Sequence, residues 1–532
     1  MKKSLEELNK KANRNVWLIP LAIFLIALSV RVIGLKFSFP LLTHFDERAI
    51  IDPLIEMSKN HTLDSGQYNR PNHVLYTTLF GYLNLISKVL FNKNFGWAYE
   101  ENPLFFYYHA RLVVAIFGAF VPVLAWKIGK LFKEVDFSLP AAFLTCFYAP
   151  YVVHSHYITG DIINTAFSLA TILLCLIYLQ KKKQGWLILA SVTVALNTLE
   201  KYPGILSYGI ILFTLGISAF SQENNHRRFD WVFFFRHSLI TLAIVILSMF
   251  IFAPHLFFRL NQIRDVLIYE SRSTHLGADN LNWLGNMQFY VKNFIDASGW
   301  IFAIFGLAGI IFAILSREPS MLLLFFGAGY WIALSRLGLH WERWSLPMVI
   351  TPLLLAAYSI AKLWANLKHN KMIRILLTIF FAVSFSIYSL NGLNSSIVLT
   401  WQDTRAKALQ FTTINNINQT NTVSEGYSPF LPRYANRIFN FDYQNPGQTH
   451  YVILSSNIYG RYEADPDRYF VENNYYNGLR ASSTLIAEFK PSKKPINPKD
   501  QFVILIDYIS NLITKKTTSY TTGPTIQIYQ LP

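Results

Sequence analysis

Long apolar runs separated by short polar connections dominate the chain up to Leu393 and stop there. A helix needs about 20 mostly apolar residues to cross a bilayer, and lipid admits only segments that satisfy their own backbone hydrogen bonds. The pattern predicts eleven spans: Val16–Lys36, Leu104–Trp126, Ser138–Tyr157, Ile162–Leu179, Gly185–Leu199, Pro203–Phe220, Ser238–Phe257, Gly299–Leu315, Ser320–Ser335, Trp344–Leu363 and Ile373–Leu393. The first apolar run is too long for the core of a cleavable signal peptide, and no small-residue cleavage site follows it.

Orientation follows from Lys and Arg, which favour cytoplasmic connections. The tail 1–15 carries Lys2, Lys3, Lys10, Lys11 and Arg14, which predicts a cytoplasmic N-terminus. Alternate connections then hold Lys127, Lys130 and Lys133; Lys181 to Lys183; Arg227, Arg228 and Arg236; Arg317; and Lys368, Lys371 and Arg374. His73–Leu90 is apolar enough for a twelfth span, but a crossing there would turn the Lys127–Lys133 connection outward and invert everything after it. It is therefore expected to lie on the membrane surface, within a long first outer loop, Phe37–Pro103.

The remaining piece, Asn394–Pro532, is polar and rich in Asn, Thr, Tyr and Pro, as expected of a small α/β domain outside the cytoplasm. Thr400–Ile417 is expected to be helical. Tyr451–Ser455, Thr484–Phe489, Gln501–Ile506 and Thr525–Tyr529 read as strands, with Pro491–Lys499 as a loop. The fold class is thus a polytopic α-helical membrane protein of about eleven spans, N-terminus in and C-terminus out, with residues 16–393 as the membrane domain.

Composition agrees. The chain is 52% hydrophobic, 16% aromatic and only 15% charged, whereas a soluble domain carries about a quarter charged residues. The net charge of +16 is the positive-inside bias of a polytopic chain and not a nucleic-acid footprint. Cys146 and Cys175 both sit in apolar runs and give no disulfide framework.

Ionisable groups near membrane depth are expensive and usually functional. Asp46 and Glu47 follow the first span in Thr43-His-Phe-Asp-Glu-Arg48, where a carboxylate can act as general base towards a hydroxyl. Asp161, in His154-Ser-His-Tyr-Ile-Thr-Gly-Asp161, stands where the third span gives way to the fourth; a helix cap explains it without chemistry. His154-x-His156 with one Asp is too sparse for a metal site. Arg70, Arg111, Lys201, His340 and Arg343 collect on the outer side. Snorkelling explains each singly, but together they suit a phosphate group. Arg31 is expected to snorkel, and Trp341 and Trp344 to lie in an interfacial belt.

These residues carry a resemblance. His44-Phe-Asp-Glu47 resembles the Asp-Glu signature of the GT-C glycosyltransferases that use polyprenyl-phosphate sugars, a group that includes protein O-mannosyltransferases and lipid A aminoarabinose transferases. Asn69-Arg-Pro-Asn-His73 is similar to their basic-Pro-Pro segment, with Asn72 in place of the second proline. Ala110-Arg111-Leu112 resembles the arginine that opens the second span. Lys201-Tyr202 and His340-x-x-Arg343-Trp344-x-x-Pro347 resemble two further stretches, Trp344 standing where Tyr is typical.

The resemblance implies an integral enzyme, in a bacterial plasma membrane, that transfers a sugar with inversion from a polyprenyl-phosphate donor to a lipid, glycan or protein hydroxyl outside the cytoplasm. Asp46 would be the base, with Glu47 and Asp161 orienting it or binding acceptor. Arg70, Arg111, Lys201 and Arg343 would hold donor phosphate, supported by His340. No metal or other cofactor is required, because cationic side chains neutralise the leaving phosphate. A transporter or flippase, a ligase using a polyprenyl diphosphate and a non-catalytic membrane anchor are the alternatives. The chain shows none of the repeats or broken-helix pairs typical of transporters.

Overall fold

The computed structural model describes residues 17–532 except 69–70, 224–225, 273, 317, 319–320, 322–323, 368–369, 431–437, 494–496 and 517. The chain divides into two units: residues 1–32, 52–272 and 281–393 form the first, and 33–51, 273–280 and 394–532 the second.

The first unit is built of helices: α1 Leu18–Val32, α2 Phe45–Asn60 (its first turns belonging to the second unit), α3 His73–Phe91, α4 Pro103–Leu131, α5 Ser138–Phe147, α6 Ala149–His154, α7 Asp161–Lys181, α8 Gln184–Glu200, α9 Tyr208–Ala219, α10 Trp231–Phe252, α11 Trp283–Leu315, α12 Phe326–Ser335, α13 Ile350–Asn366 and α14 Lys371–Val398. Among the described residues, seven helices are long and apolar enough to cross a membrane: α3, α4, α7, α9 with the 3-10 turn before it, α10, α11 and α14. Their outward faces are apolar, as lipid requires: Val232, Leu239, Leu247 and Ile251 of α10 are all exposed. Several breaks have local causes. The run Ser138–Tyr157 divides at Tyr148-Ala-Pro150, where proline starts a new helix. In α11, Gly299 takes φ 79°, a left-handed conformation that suits glycine.

His73–Leu90 lies in one continuous helix with the length and apolarity of a span, as its composition indicated. One expectation changes here. Arg31 does not snorkel: it is fully buried, its Nη1 donating to the carbonyls of Ala27 and Cys146 and its Nε to Ser155 Oγ at 3.1 Å. It thereby fastens α1 to the segment following α6. Gly118 makes room for it, since a Cβ there would lie 3.0 Å from Arg31 Nε and closer still to Ser155.

The second unit contains α15 Thr404–Ile414, α16 Phe470–Ser482 and α17 Pro498–Thr514, with strands β1 Thr422–Ser424, β2 Tyr451–Ser455, β3 Thr484–Phe489 and β4 Ile526–Gln530. The sheet order is β1-β2-β4-β3, with β1 and β2 parallel and the other pairs antiparallel. Val452, Leu454, Tyr476, Leu479 and Tyr529 pack one apolar cluster; Ala408, Ile453, Ile526 and Ile528 pack another. Residues 33–51 join this unit through Arg405, which pairs with Asp403 and donates to Thr43 Oγ1 at 2.7 Å. Gln501–Ile506, expected as a strand, lies inside α17. The Asn497 side chain accepts the Asp500 amide at 2.8 Å and Pro498 occupies the first turn, a strong helix start that overrides a short β-prone stretch.

Candidate functional site

Helices α7 and α8 are consecutive, similar in length and joined by a two-residue connection, so the start of α7 and the end of α8 meet. Asp161 opens the first and Lys201 follows the second, and their side chains form an ion pair, Nζ to Oδ1. Asp161 is buried and Lys201 about a quarter exposed. Below the pair, Asn164 Nδ2 donates to Asn197 Oδ1 at 2.7 Å, and Asn197 Nδ2 donates to Ser207 Oγ at 2.7 Å and Ser168 Oγ at 3.1 Å. This buried amide ladder sets the register of the two helices. The chain turns after Lys201 into a 3-10 helix, Tyr202–Ser207, started by Pro203. Gly204 is pressed so closely on Asn197 that a Cβ would collide with its backbone.

Arg343 and His154 act on Asp161 electrostatically, and Tyr330 of α12 lies in its field. Arg343 comes from a single 3-10 turn, Glu342–Ser345, between α12 and α13. Three segments far apart in sequence thus assemble one carboxylate with two cations. A carboxylate that holds a lysine in place beside an arginine leaves net positive charge, which suits a phosphoryl group.

The sequence reading missed Glu200, one residue before Lys201. It is fully buried, yet its Oε2 accepts the Leu75 amide at 2.9 Å and its carbonyl accepts the Asn72 amide at 3.0 Å. Glu200 therefore caps the N-terminus of α3. Asn72 adopts the left-handed conformation, φ 39°. Gly160 faces both: a Cβ there would lie 2.7 Å from Asn72 Oδ1 and nearer to Glu200 Oε1. The Glu-Lys dipeptide at the end of an apolar run was the available signal.

The other expected residues are placed as follows. Arg111 is fully buried in α4, its guanidinium 5.7 Å from the Tyr107 ring. The His340 ring lies 4.1 Å from that of Phe289 in α11, tilted by 50°. Arg70 lies outside the described residues. Asp46 and Glu47 open α2 within the second unit, and Glu47 is fully buried. There the ring of Tyr427 (φ 60°) lies 5.9 Å from the Arg461 guanidinium. Burial pushes the Tyr427 hydroxyl up; Asp46 acts in the same direction, against Arg461 and Arg405. The Asp46 carboxylate is thus in the company of residues from the C-terminal part of the chain.

The chain has the fold of the GT-C glycosyltransferases, the class its sequence resembles. It is similar to the archaeal oligosaccharyltransferase AglB from Archaeoglobus fulgidus, solved with an inhibitory peptide and a dolichol-phosphate, at 13% identity and a TM-score of 0.53 over 97% of this chain and 89% of that one. It is equally similar to ArnT from Cupriavidus metallidurans, at 12% identity and a TM-score of 0.51 over 90% of this chain and 96% of that one. ArnT bound to undecaprenyl phosphate gives 13% identity and a TM-score of 0.50 over 89% of this chain and 96% of that one. Residues 107–258 match the sequence model of the dolichyl-phosphate-mannose-protein mannosyltransferase family, a stretch that includes Arg111, Asp161, Glu200 and Lys201. No curated protein matches the chain by sequence. Family match and fold agree on the enzyme class, glycosyltransferase.

Proposed function

We propose that the protein is an inverting glycosyltransferase that moves a sugar from a polyprenyl-phosphate donor to a hydroxyl acceptor on the extracytoplasmic side of a bacterial plasma membrane. The observation that carries this reading is the Asp161–Lys201 ion pair with Arg343 in its field, within a fold whose solved relatives include one bound to undecaprenyl phosphate and one holding dolichol-phosphate.

The acceptor oxygen attacks the anomeric carbon, the bond from that carbon to the phosphate oxygen breaks, and the polyprenyl phosphate departs with the bonding pair. Phosphate leaves readily, so one base suffices. This differs from inverting hydrolases, which flank the bond with an acid and a base. Asp46 takes the acceptor proton, and Glu47 orients it. Lys201 and Arg343, with Arg70, Arg111 and His340, stabilise the charge growing on the departing phosphate. Asp161 holds the Lys201 ammonium in position.

Membranes containing the protein, given defined polyprenyl-phosphate sugars, should form a labelled glycoside. Asp46→Asn should lower transfer by orders of magnitude, and Lys201→Ala should raise the KM for donor. Transfer should persist in a chelator. Near wild-type turnover of the Asp46 variant, or loss of transfer on chelation, would overturn the mechanism.

A further inference from the structure

Helix α17 carries two unlike faces. Ile504, Asp507, Tyr508 and Asn511 line a cleft of about 510 Å³ together with Ile397, Thr400 and Trp401, which belong to the end of α14 and the residues just after it. On the opposite side, Phe502, Ile506, Ile509 and Ile513 fall within a roughly 60° arc at 100° per residue and are 54%, 50%, 47% and 77% exposed. Val503 and Leu512, also exposed, flank that stripe. Monomeric soluble domains rarely leave such a continuous apolar patch uncovered.

The neighbouring end of α14 indicates what covers it. This 28-residue helix has the length and apolarity of a span, and Ile379 and Val383 on its surface are exposed. Four residues before its end, buried Asn394 donates from Nδ2 to the Gln501 carbonyl at 2.8 Å. At 1.5 Å per residue that bond lies about 6 Å from the helix terminus. The start of α17 is thus held at the depth where a spanning helix leaves the bilayer. Lys499 near one end and Lys515 and Lys516 at the other are exposed, as suits lipid phosphates. Asp500, Asp507 and Asn511 make α17 too polar to cross.

We infer that α17 is an in-plane membrane helix, its Phe502–Ile506–Ile509–Ile513 stripe seated among the acyl chains of the leaflet at which α14 ends. Amphipathic helices of this kind sink about 5–10 Å into the interface. The helix anchors the C-terminal part of the chain to the lipid surface without a further spanning segment.

The test uses the full-length protein in nanodiscs of zwitterionic and anionic lipid. Single cysteines are introduced as Ile506→Cys, Ile509→Cys or Ile513→Cys, with Lys515→Cys as the aqueous reference, and labelled with an environment-sensitive fluorophore. Nitroxide-bearing lipids should quench the three stripe positions several-fold more strongly than an aqueous nickel chelate does, and Lys515→Cys should show the reverse order. Preferential quenching by nickel along the stripe overturns the inference. So does protection from both quenchers together with crosslinking between copies, which would make the face a dimer contact. Because these side chains are exposed, Ile506→Glu with Ile513→Glu should leave the thermal midpoint near wild type while moving a label at Ile509→Cys into water. Unchanged lipid quenching in that variant also overturns it.

Discussion

The Glu200 carboxylate accepts the backbone amide of Leu75 at 2.9 Å, so a residue ending α8 caps α3, 125 positions earlier in the chain. Because Lys201 follows Glu200 directly, the cap and the ion pair with Asp161 share one turn of backbone.

Glu200→Ala removes that cap and should destabilise the protein by about 1–2 kcal/mol, read as a lower thermal midpoint in detergent. Glu200→Gln keeps an acceptor oxygen and should lose less. Equal midpoints for the alanine variant and wild type would show that the cap contributes nothing.

Gly160→Ala should be far more damaging than its size suggests, because its Cβ meets Asn72 and Glu200. Gly209→Ala and Gly216→Ala place a methyl in open space on α9 and serve as controls. Both should fold and transfer sugar normally, while Gly160→Ala loses midpoint and activity together.

Breaking a buried ion pair from one side strands a charge at a cost of about 3–5 kcal/mol. Asp161→Asn and Lys201→Met should each destabilise strongly, and the double variant should lose less than the sum. Additive losses in a double-mutant cycle would show that the pair carries no coupling. In membranes both single variants should raise the KM for donor.

In the second unit, Glu425 is buried, its Oε2 accepting the Ser455 amide at 2.7 Å and its Oε1 the Tyr476 hydroxyl. Burial pushes this carboxyl up to about 8. Between the ordinary carboxylate range and about 8 the folded state binds more protons than the unfolded chain, so stability falls as pH rises through that window. The contribution is complete below about pH 4.5, the range of an ordinary Glu, and gone above about 8. Midpoints measured from pH 5 to 8 should decline for wild type, and Glu425→Gln should flatten the slope. An unaltered slope in that variant would assign the pH dependence to other groups.

Much of the architecture is legible in the sequence because apolar run length is a local property. Helices occur within every expected span, the span expected from Gly299 starts where α11 breaks, and Lys201 and Arg343 were singled out from sequence alone. Asp161 read equally as a helix start and as a site residue, and it is the first residue of α7 as well as the partner of Lys201. Tertiary structure decided the rest. The polar ladder between α7 and α8 sets the register that brings Asp161 onto Lys201. Arg31 turns inward because the carbonyls of Ala27 and Cys146 and the Ser155 hydroxyl receive its Nη1 and Nε, partners that only packing brings together in the last two cases. Glu200 reads as an unremarkable charge at a helix end until the start of α3 is brought against it. Gln501–Ile506 is helical because Asn497 and Pro498 start a helix and Asn394 receives it. In each case the sequence specifies what a side chain can do, while its partner is chosen by packing between segments that local pattern does not connect.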